Sequence, residues 1–331
     1  MKAVFVDNKP VYHRNISIQE SICRAHGIDY AALNCLTEED VIQQCGDADA
    51  LLDIYTPITP RILDALPQCK VLVRFGIGYD VFDVDYATQK GIYVCNVPDY
   101  CTEEVATHAV ALILNLTRKI SFYNDNAKKG KWVHTEGYTM HRLSTQTVGF
   151  LGFGKIARQA AKYLAPFGCS FLAYDPYLPA ETIQAWGAQP VGLDELYARS
   201  DILSVHAPLF ESTRHIVDKK AIEKMKDGVM IVNTSRGPLI CEEDLLAAVE
   251  SGKVAAAGLD VVESEPITQP DHPLFRTGRV VVTPHAAFSS DAASAELLAK
   301  VAETACAVLT HDFSPEILSR IVNRKALIET T

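Results

Sequence analysis

"TVGFLGFGKIA", Thr147 to Ala157, is the stretch that decides the fold. An apolar run ends in the glycine-rich turn "GFGKIA" (Gly152 to Ala157) and opens directly into the helical pattern "KIARQAAKYLAPFG". Taken alone, this pattern fits an ordinary strand-to-helix turn. Its context points further. Gly152 permits a tight turn, Gly154 lets backbone N–H groups approach a pyrophosphate at a helix N-terminus, and Ala157 is small enough for helix and strand to pack closely. Phe153, Lys155 and Ile156 complete the turn and are expected against the same ligand. A ribose-binding acid should end the next strand, and Asp175 ends "SFLAYD" roughly 20 residues beyond the second glycine. A carboxylate there accepts from ribose hydroxyls and repels a 2′-phosphate, and no Lys or Arg occurs from Pro176 to Ala198. NAD is therefore the expected cofactor.

Outward from that turn, short β-branched runs alternate with helical patterns almost from end to end, the signature of parallel α/β layers. The expected class is α/β with two doubly wound parallel-sheet domains, a Rossmann nucleotide domain and a flavodoxin-like domain. A chain of 331 residues, 48% hydrophobic, exceeds what one core usually fills. In the first hundred residues the strand candidates are 2–7, 50–55, 70–75 and 92–97. A capping-box-like "TEEVATHAVALILNLTRKI" from Thr102 predicts one long helix, a hinge between lobes. Six strands follow, at 147–154, 170–175, 202–208, 229–235, 254–261 and 279–285. The helix over 291–309 comes after a complete sheet and is expected to return to the first lobe. Residues 124–146 are polar and aromatic without a period, so they form either a flexible connection or an arm on a partner subunit.

Composition narrows the function classes. A net charge of −10 argues against direct sequence-independent binding to nucleic acid, which needs a basic surface. The opening "MKAVFVDNKP" does not resemble a signal peptide, and no apolar run is long enough to span a bilayer. The nine cysteines are scattered, with no C-x-x-C pair and no zinc spacing, so no metal site is expected and the compartment is read as the cytoplasm.

Ligands of open α/β sheets sit beyond the C-terminal ends of the strands. "NTSRG" places Arg236 past one strand, "GLDVVESEP" places Asp260, Glu263 and Glu265 past the next, and "TPH" places His285 past the last. Beside a dinucleotide turn this trio suits hydride transfer between nicotinamide and a carbonyl next to a carboxylate. Histidine is matched to protonate the resulting alkoxide near neutral pH, a carboxylate beside it orients the ring, and arginine's planar fork grips the substrate carboxylate.

At this point the chain resembles the D-isomer-specific 2-hydroxyacid dehydrogenase family. The similarity runs through "VRFGIGYDVFDVD", "GIYVCNVPDYCTEEVA", "TVGFLGFGKIA", "YDPYLP", "HAPLFESTRHIV", "NTSRGPLI", "GLDVVESEP" and "TPHAAF", in the family's order. Within the family it is most similar to the branch of the C-terminal-binding proteins. The resemblance implies that Arg236 binds substrate, that His285 is the acid/base, and that Glu265 rather than Glu263 pairs with it. Glu263 is then a solvated loop acid whose change to Gln is near silent. It implies Asp260, Ala207, Pro208, Thr213, Thr234 and Ser235 along the cofactor. Tyr55, Arg74, the N–H groups of Ile77 and Gly78, and Phe288 fall around the substrate. Residues 1–101 and 288–331 form the substrate domain and 102–287 the NAD domain, with a cleft closing between them and a homodimer through the NAD domain. The loop "IYTPITP" offers no cation except the nearby Arg61, so a plain 2-oxo acid is expected before a phosphorylated one. An NAD(H)-sensing corepressor-like module and a phosphoglycerate dehydrogenase-type activity are the alternatives.

Overall fold

The structure is a computed structural model that describes residues 1–7 and 16–327. The expected substrate-domain span also includes 8–15 and 328–331, which lie outside the described residues. The chain divides into two compact units, Met1–Tyr100 with Ser290–Thr331, and Cys101–Ser289.

The first unit carries strands β1 (Lys2–Phe5), β2 (Asp29–Ala32), β3 (Ala50–Asp53), β4 (Val71–Arg74) and β5 (Tyr93–Cys95). They pair in the order β2-β1-β3-β4-β5, every pairing parallel. That is the flavodoxin-like order. The four strands read from the sequence are joined by a fifth, "DYAA" of β2, whose half-exposed residues give no apolar run. β3 is buried along its whole length, as expected of a strand covered on both faces. The helix Asp291–Leu309 does return to this unit. It is capped by the Ser290 hydroxyl, which accepts from the Ala293 N–H, and packs on the helix Ser17–Ala25 and on β3 and β4.

The second unit carries β6 (Thr147–Leu151), β7 (Ser170–Tyr174), β8 (Gln189–Pro190), β9 (Ile202–Val205), β10 (Val229–Asn233), β11 (Val254–Leu259) and β12 (Val280–Val282). Their order is β12-β11-β10-β9-β6-β7-β8, again all parallel. The sheet is the doubly wound Rossmann order extended by one strand at the β12 edge. It therefore has seven strands, not six. The missed β8 is two residues long and ends in proline, which leaves no period to detect. β9, β10 and β11 are wholly buried, with apolar clusters on both faces of the sheet.

The long helix expected from Thr102 differs in two ways. It is the segment Thr102–Arg118, its N-cap is Cys101, and no side-chain capping bond forms, because the threonine lies one position inside. It then breaks at Lys119, whose left-handed φ of 54° starts a second helix, Ile120–Lys128. The following segment is held to these helices by hydrogen bonds that include side chains on both sides. Lys119 Nζ donates to Glu136 O (2.9 Å), Tyr138 Oη to Leu116 O (2.7 Å) and Tyr123 Oη to His134 O (2.8 Å). Among the described residues no helix is long and apolar enough to cross a membrane.

Candidate active site

The second sheet reverses its winding between β6 and β9, and the chain leaves both strands there through the turns that carry the motifs. Gly152 has φ +86°, and a β carbon on it would lie 2.8 Å from Ala207 N. Glycine is required both by that backbone angle and by the approach of the two turns. Phe153 is buried in the core, so only its backbone faces the turn; its N–H donates to Asp175 Oδ2 (2.9 Å). Asp175 Oδ1 accepts from Tyr177 N (3.0 Å). Gly154 is the N-cap of the helix Lys155–Leu164, which has no side-chain cap, and a β carbon on it would meet nothing within 4 Å. Lys155 is exposed and Ile156 half-buried in that first turn, while Ala157 is fully buried.

These features fit NAD. An uncapped helix N-terminus with open space at Gly154 suits a pyrophosphate. Asp175 keeps acceptor capacity beyond its two backbone bonds, since a carboxylate has about four lone-pair sites. After β10, Thr234 Oγ1 is buried with no hydrogen-bond partner among the described residues, and a ligand would supply one. Ser235 Oγ donates to Val205 O (3.0 Å), so it ties β10 to β9. Thr213 donates to Pro208 O and accepts from Phe210 N, both at 2.7 Å, and thereby closes the turn after Ala207 and Pro208.

The three strand-end acids separate by environment. Asp260 is 1% exposed, and its carboxylate accepts from Thr283 Oγ1 (2.5 Å), Ala286 N (2.9 Å) and Ala287 N (2.9 Å). Its carbonyl accepts from His285 N (2.8 Å). Asp260, expected along the cofactor, therefore directs its carboxylate into the loop that carries His285. His108 Nε2, from the helix Thr102–Arg118, lies 2.9 Å from Thr283 Oγ1 and 3.5 Å from Asp260 Oδ1. Nothing in the periodicity marks His108; its place became visible only with the fold.

Glu265 Oε2 sits 2.7 Å from His285 Nδ1, and its other oxygen accepts from Val262 N (3.1 Å). The Phe288 ring meets the imidazole edge-on at 6.4 Å between centroids. Glu263 corrects the expectation of a solvated loop acid. Its Oε1 bonds His215 Nε2, and Oε2 accepts from Glu242 N (3.3 Å). Arg236 follows β10, with NH1 donating to Ser235 O (2.8 Å) and its carbonyl accepting from Asn233 Nδ2 (2.8 Å). The next residue, Gly237, was also missed: a β carbon there would lie 1.8 Å from Val262 O. Glycine at 237 thus lets the Arg236 loop rest on the loop that carries Glu265.

In the first unit, Tyr55 N donates to Asp7 Oδ2 (2.6 Å), and the Arg74 guanidinium lies 5.9 Å from the Tyr55 ring centroid. Arg74 NH1 donates to Phe75 O (2.7 Å). Ile77 O accepts from Asn96 Nδ2 (2.6 Å), while the N–H groups of Ile77 and Gly78 donate to no protein acceptor among the described residues. Asp53, at the end of β3, is fully buried; burial and then the neighbouring Asp7 push its carboxyl well above the usual range, against the pull of Arg74.

Comparison with known proteins decides the family. The model of the D-isomer specific 2-hydroxyacid dehydrogenase NAD-binding domain matches residues 110–287. The chain belongs to this family. It is 41% identical over 253 residues to a hydroxypyruvate reductase of Blautia hydrogenotrophica, covering 75% of this chain and 78% of the relative. It is 38% identical over 274 residues to a D-3-phosphoglycerate dehydrogenase of Mycobacterium bovis, covering 82% of this chain but about half (51%) of that longer enzyme. Among solved structures, a D-lactate dehydrogenase of Aquifex aeolicus, complexed with NAD and lactic acid, superposes with a TM-score of 0.84. That match has 26% identity and covers 97% of this chain and 98% of the other. As an NAD-dependent oxidoreductase of this family, the chain uses its second unit as the NAD-binding domain.

Inside that domain, His206 directly follows β9, with Nε2 2.8 Å from Ser204 Oγ and its ring 5.8 Å from that of Phe150. Burial pushes its pKa from 6.5 down to about 4. The folded state therefore keeps His206 neutral while the unfolded chain takes up a proton below the ordinary value, so this stability is full above pH 6.5 and lost as pH falls toward 4. On the order of 3 kcal/mol is at stake. Urea unfolding of His206→Asn should show a flatter pH dependence than wild type across that window; parallel curves would contradict the assignment.

Proposed function

We propose that this protein interconverts a short 2-oxo acid and its D-2-hydroxy acid with NAD(H). The observation that carries this is the His285 Nδ1 to Glu265 Oε2 contact of 2.7 Å at the end of the β12 strand. With Nδ1 engaged by the carboxylate, Nε2 is the ring nitrogen left to hold the proton that moves to and from the substrate oxygen. Bound NADH supplies the hydride. Arg236 grips the substrate carboxylate and polarises the reacting oxygen. Gly152, Gly154, Asp175 and Thr234 hold the cofactor.

A plain oxo acid is favoured over a phosphorylated one. Arg61, the nearest candidate cation in the "IYTPITP" region, pairs instead with Glu38 (2.9 Å) and Glu39 (2.7 Å). The hydroxypyruvate reductase among the relatives agrees with a small substrate. Phe288, whose ring meets that of His285, is the side chain proposed to select it.

A homodimer through the NAD domain and a cytoplasmic location complete the reading. Trp132 is 92% exposed on the segment tied to Leu116, Lys119 and Tyr123, beside the exposed Val133. All nine cysteines are free thiols, as suits a reducing compartment.

NADH oxidation should occur with a member of a panel of glyoxylate, pyruvate and hydroxypyruvate. His285→Gln should lower kcat by about 10²- to 10⁴-fold, and Arg236→Ala should raise KM by about 10- to 100-fold. Wild-type rates in both variants would refute the reading. Light scattering should give twice the chain mass for wild type and the single mass for Trp132→Glu; a wild-type monomer would refute the dimer.

A further inference from the structure

We infer that Glu263 and His215 form a latch that positions the proposed substrate-binding and proton-transfer groups together, although neither touches the substrate. The inference rests on the roles given above to Arg236, Glu265 and His285, and its foundation is the backbone of Val262. The Val262 N–H donates to Glu265 Oε1 (3.1 Å), and the Val262 carbonyl oxygen lies 1.8 Å from where a β carbon on Gly237 would be. Val262 therefore contacts the partner of His285 through its N–H and the residue after Arg236 through its carbonyl, by the two peptide planes that meet at its Cα. A shift of this residue moves both.

Glu263 follows directly, and its carboxylate is anchored outside its own loop. Oε1 bonds His215 Nε2. Oε2 accepts from Glu242 N (3.3 Å), while Glu263 N donates to Glu242 Oε2 (3.4 Å). His215 belongs to the segment that pairs with the Arg236 loop. Its N–H donates to Pro238 O (2.8 Å), Val217 N donates to Leu239 O (3.0 Å) and Cys241 N to Val217 O (3.0 Å). His215 has φ +51°, a left-handed conformation uncommon for a residue other than glycine. The strained residue is thus the one whose ring closes the connection. The result is a ring of contacts: His215 to Glu263, Glu263 to Val262, Val262 to Gly237, and Pro238 back to His215.

The cluster is a mechanical device rather than a metal centre. His272 Nε2 approaches Glu242 Oε1 at 3.6 Å, yet among the described residues no group of three or more His, Cys, Asp or Glu could hold an ion. The His215 and Glu263 side chains are 40% and 30% exposed, so their effect on global stability is small and the effect on the loops is what should be measured.

The test uses the full chain with Glu263→Ala, His215→Asn, the double variant and Glu263→Gln. Asparagine tolerates the left-handed backbone at 215 but is too short to reach residue 263. Amide exchange should accelerate about tenfold at Val262, Leu239 and Ile240 in either single variant, with KM for the 2-oxo acid raised about tenfold and the Kd of NADH changed less than about twofold. The double variant should be no worse than either single, and Glu263→Gln, which keeps an acceptor for His215, should recover most of the loss. Unchanged exchange and KM, or losses that multiply in the double variant, would overturn the latch. Wild type without turnover on any 2-oxo acid would remove the proposed reaction, and the exchange measurement would still decide whether the latch exists.

Discussion

A carboxylate buried at the end of β11 is the interaction on which the rest of the site depends. Asp260 is 1% exposed, and an unpartnered charge at that depth would cost several kcal/mol. The cost is offset by three donors drawn from one short loop, the Thr283 hydroxyl and the N–H groups of Ala286 and Ala287. Those bonds force the chain leaving β12 to fold back over β11, and the turn places His285 at φ +51° with its N–H on the Asp260 carbonyl. Asp260 thereby fixes the backbone of His285 and of the two residues after it, from which the imidazole projects. Glu265, three peptide units from Val262, then needs only to reach the ring.

The parallel sheet explains why groups so far apart in sequence converge. β9, β10, β11 and β12 are adjacent and run in one direction, so the turns that follow them open on the same edge. Arg236, Glu265 and His285 come from three successive turns. Close approach is enforced at Gly152 and Gly237, where the absence of a side chain lets neighbouring turns touch. Substitution at either glycine would separate the turns without removing any functional group.

Much of this was legible in the sequence where chemistry and periodicity coincide. The buried parallel strands announce themselves as apolar runs, the Gly152–Ala157 turn as a spacing, and Glu265 as an acid at a family position beside His285. The features that were not legible share a physical character. β2 and β8 are edge strands, half-exposed or interrupted by proline, and carry no pattern. His108, His215 and Glu263 act through long-range side-chain bonds, the last two 48 residues apart, and no local signal encodes such a pairing. Glu263 looked like surface because acids in a loop usually are; its partner lies on the segment after β9, which only the strand order β9-β10-β11 brings near. Asp260 was identified as important, but the sequence could not say that its carboxylate points into the protein.

The most direct measurement follows a labelled hydride. Incubation with NADH deuterated at nicotinamide C4 and an accepted 2-oxo acid, with analysis of the product by mass spectrometry and chiral chromatography, should give the D-2-hydroxy acid carrying one deuterium at C2 from one face of the cofactor. A product without deuterium at C2, or of the L configuration, would contradict the proposed chemistry at His285 and Arg236.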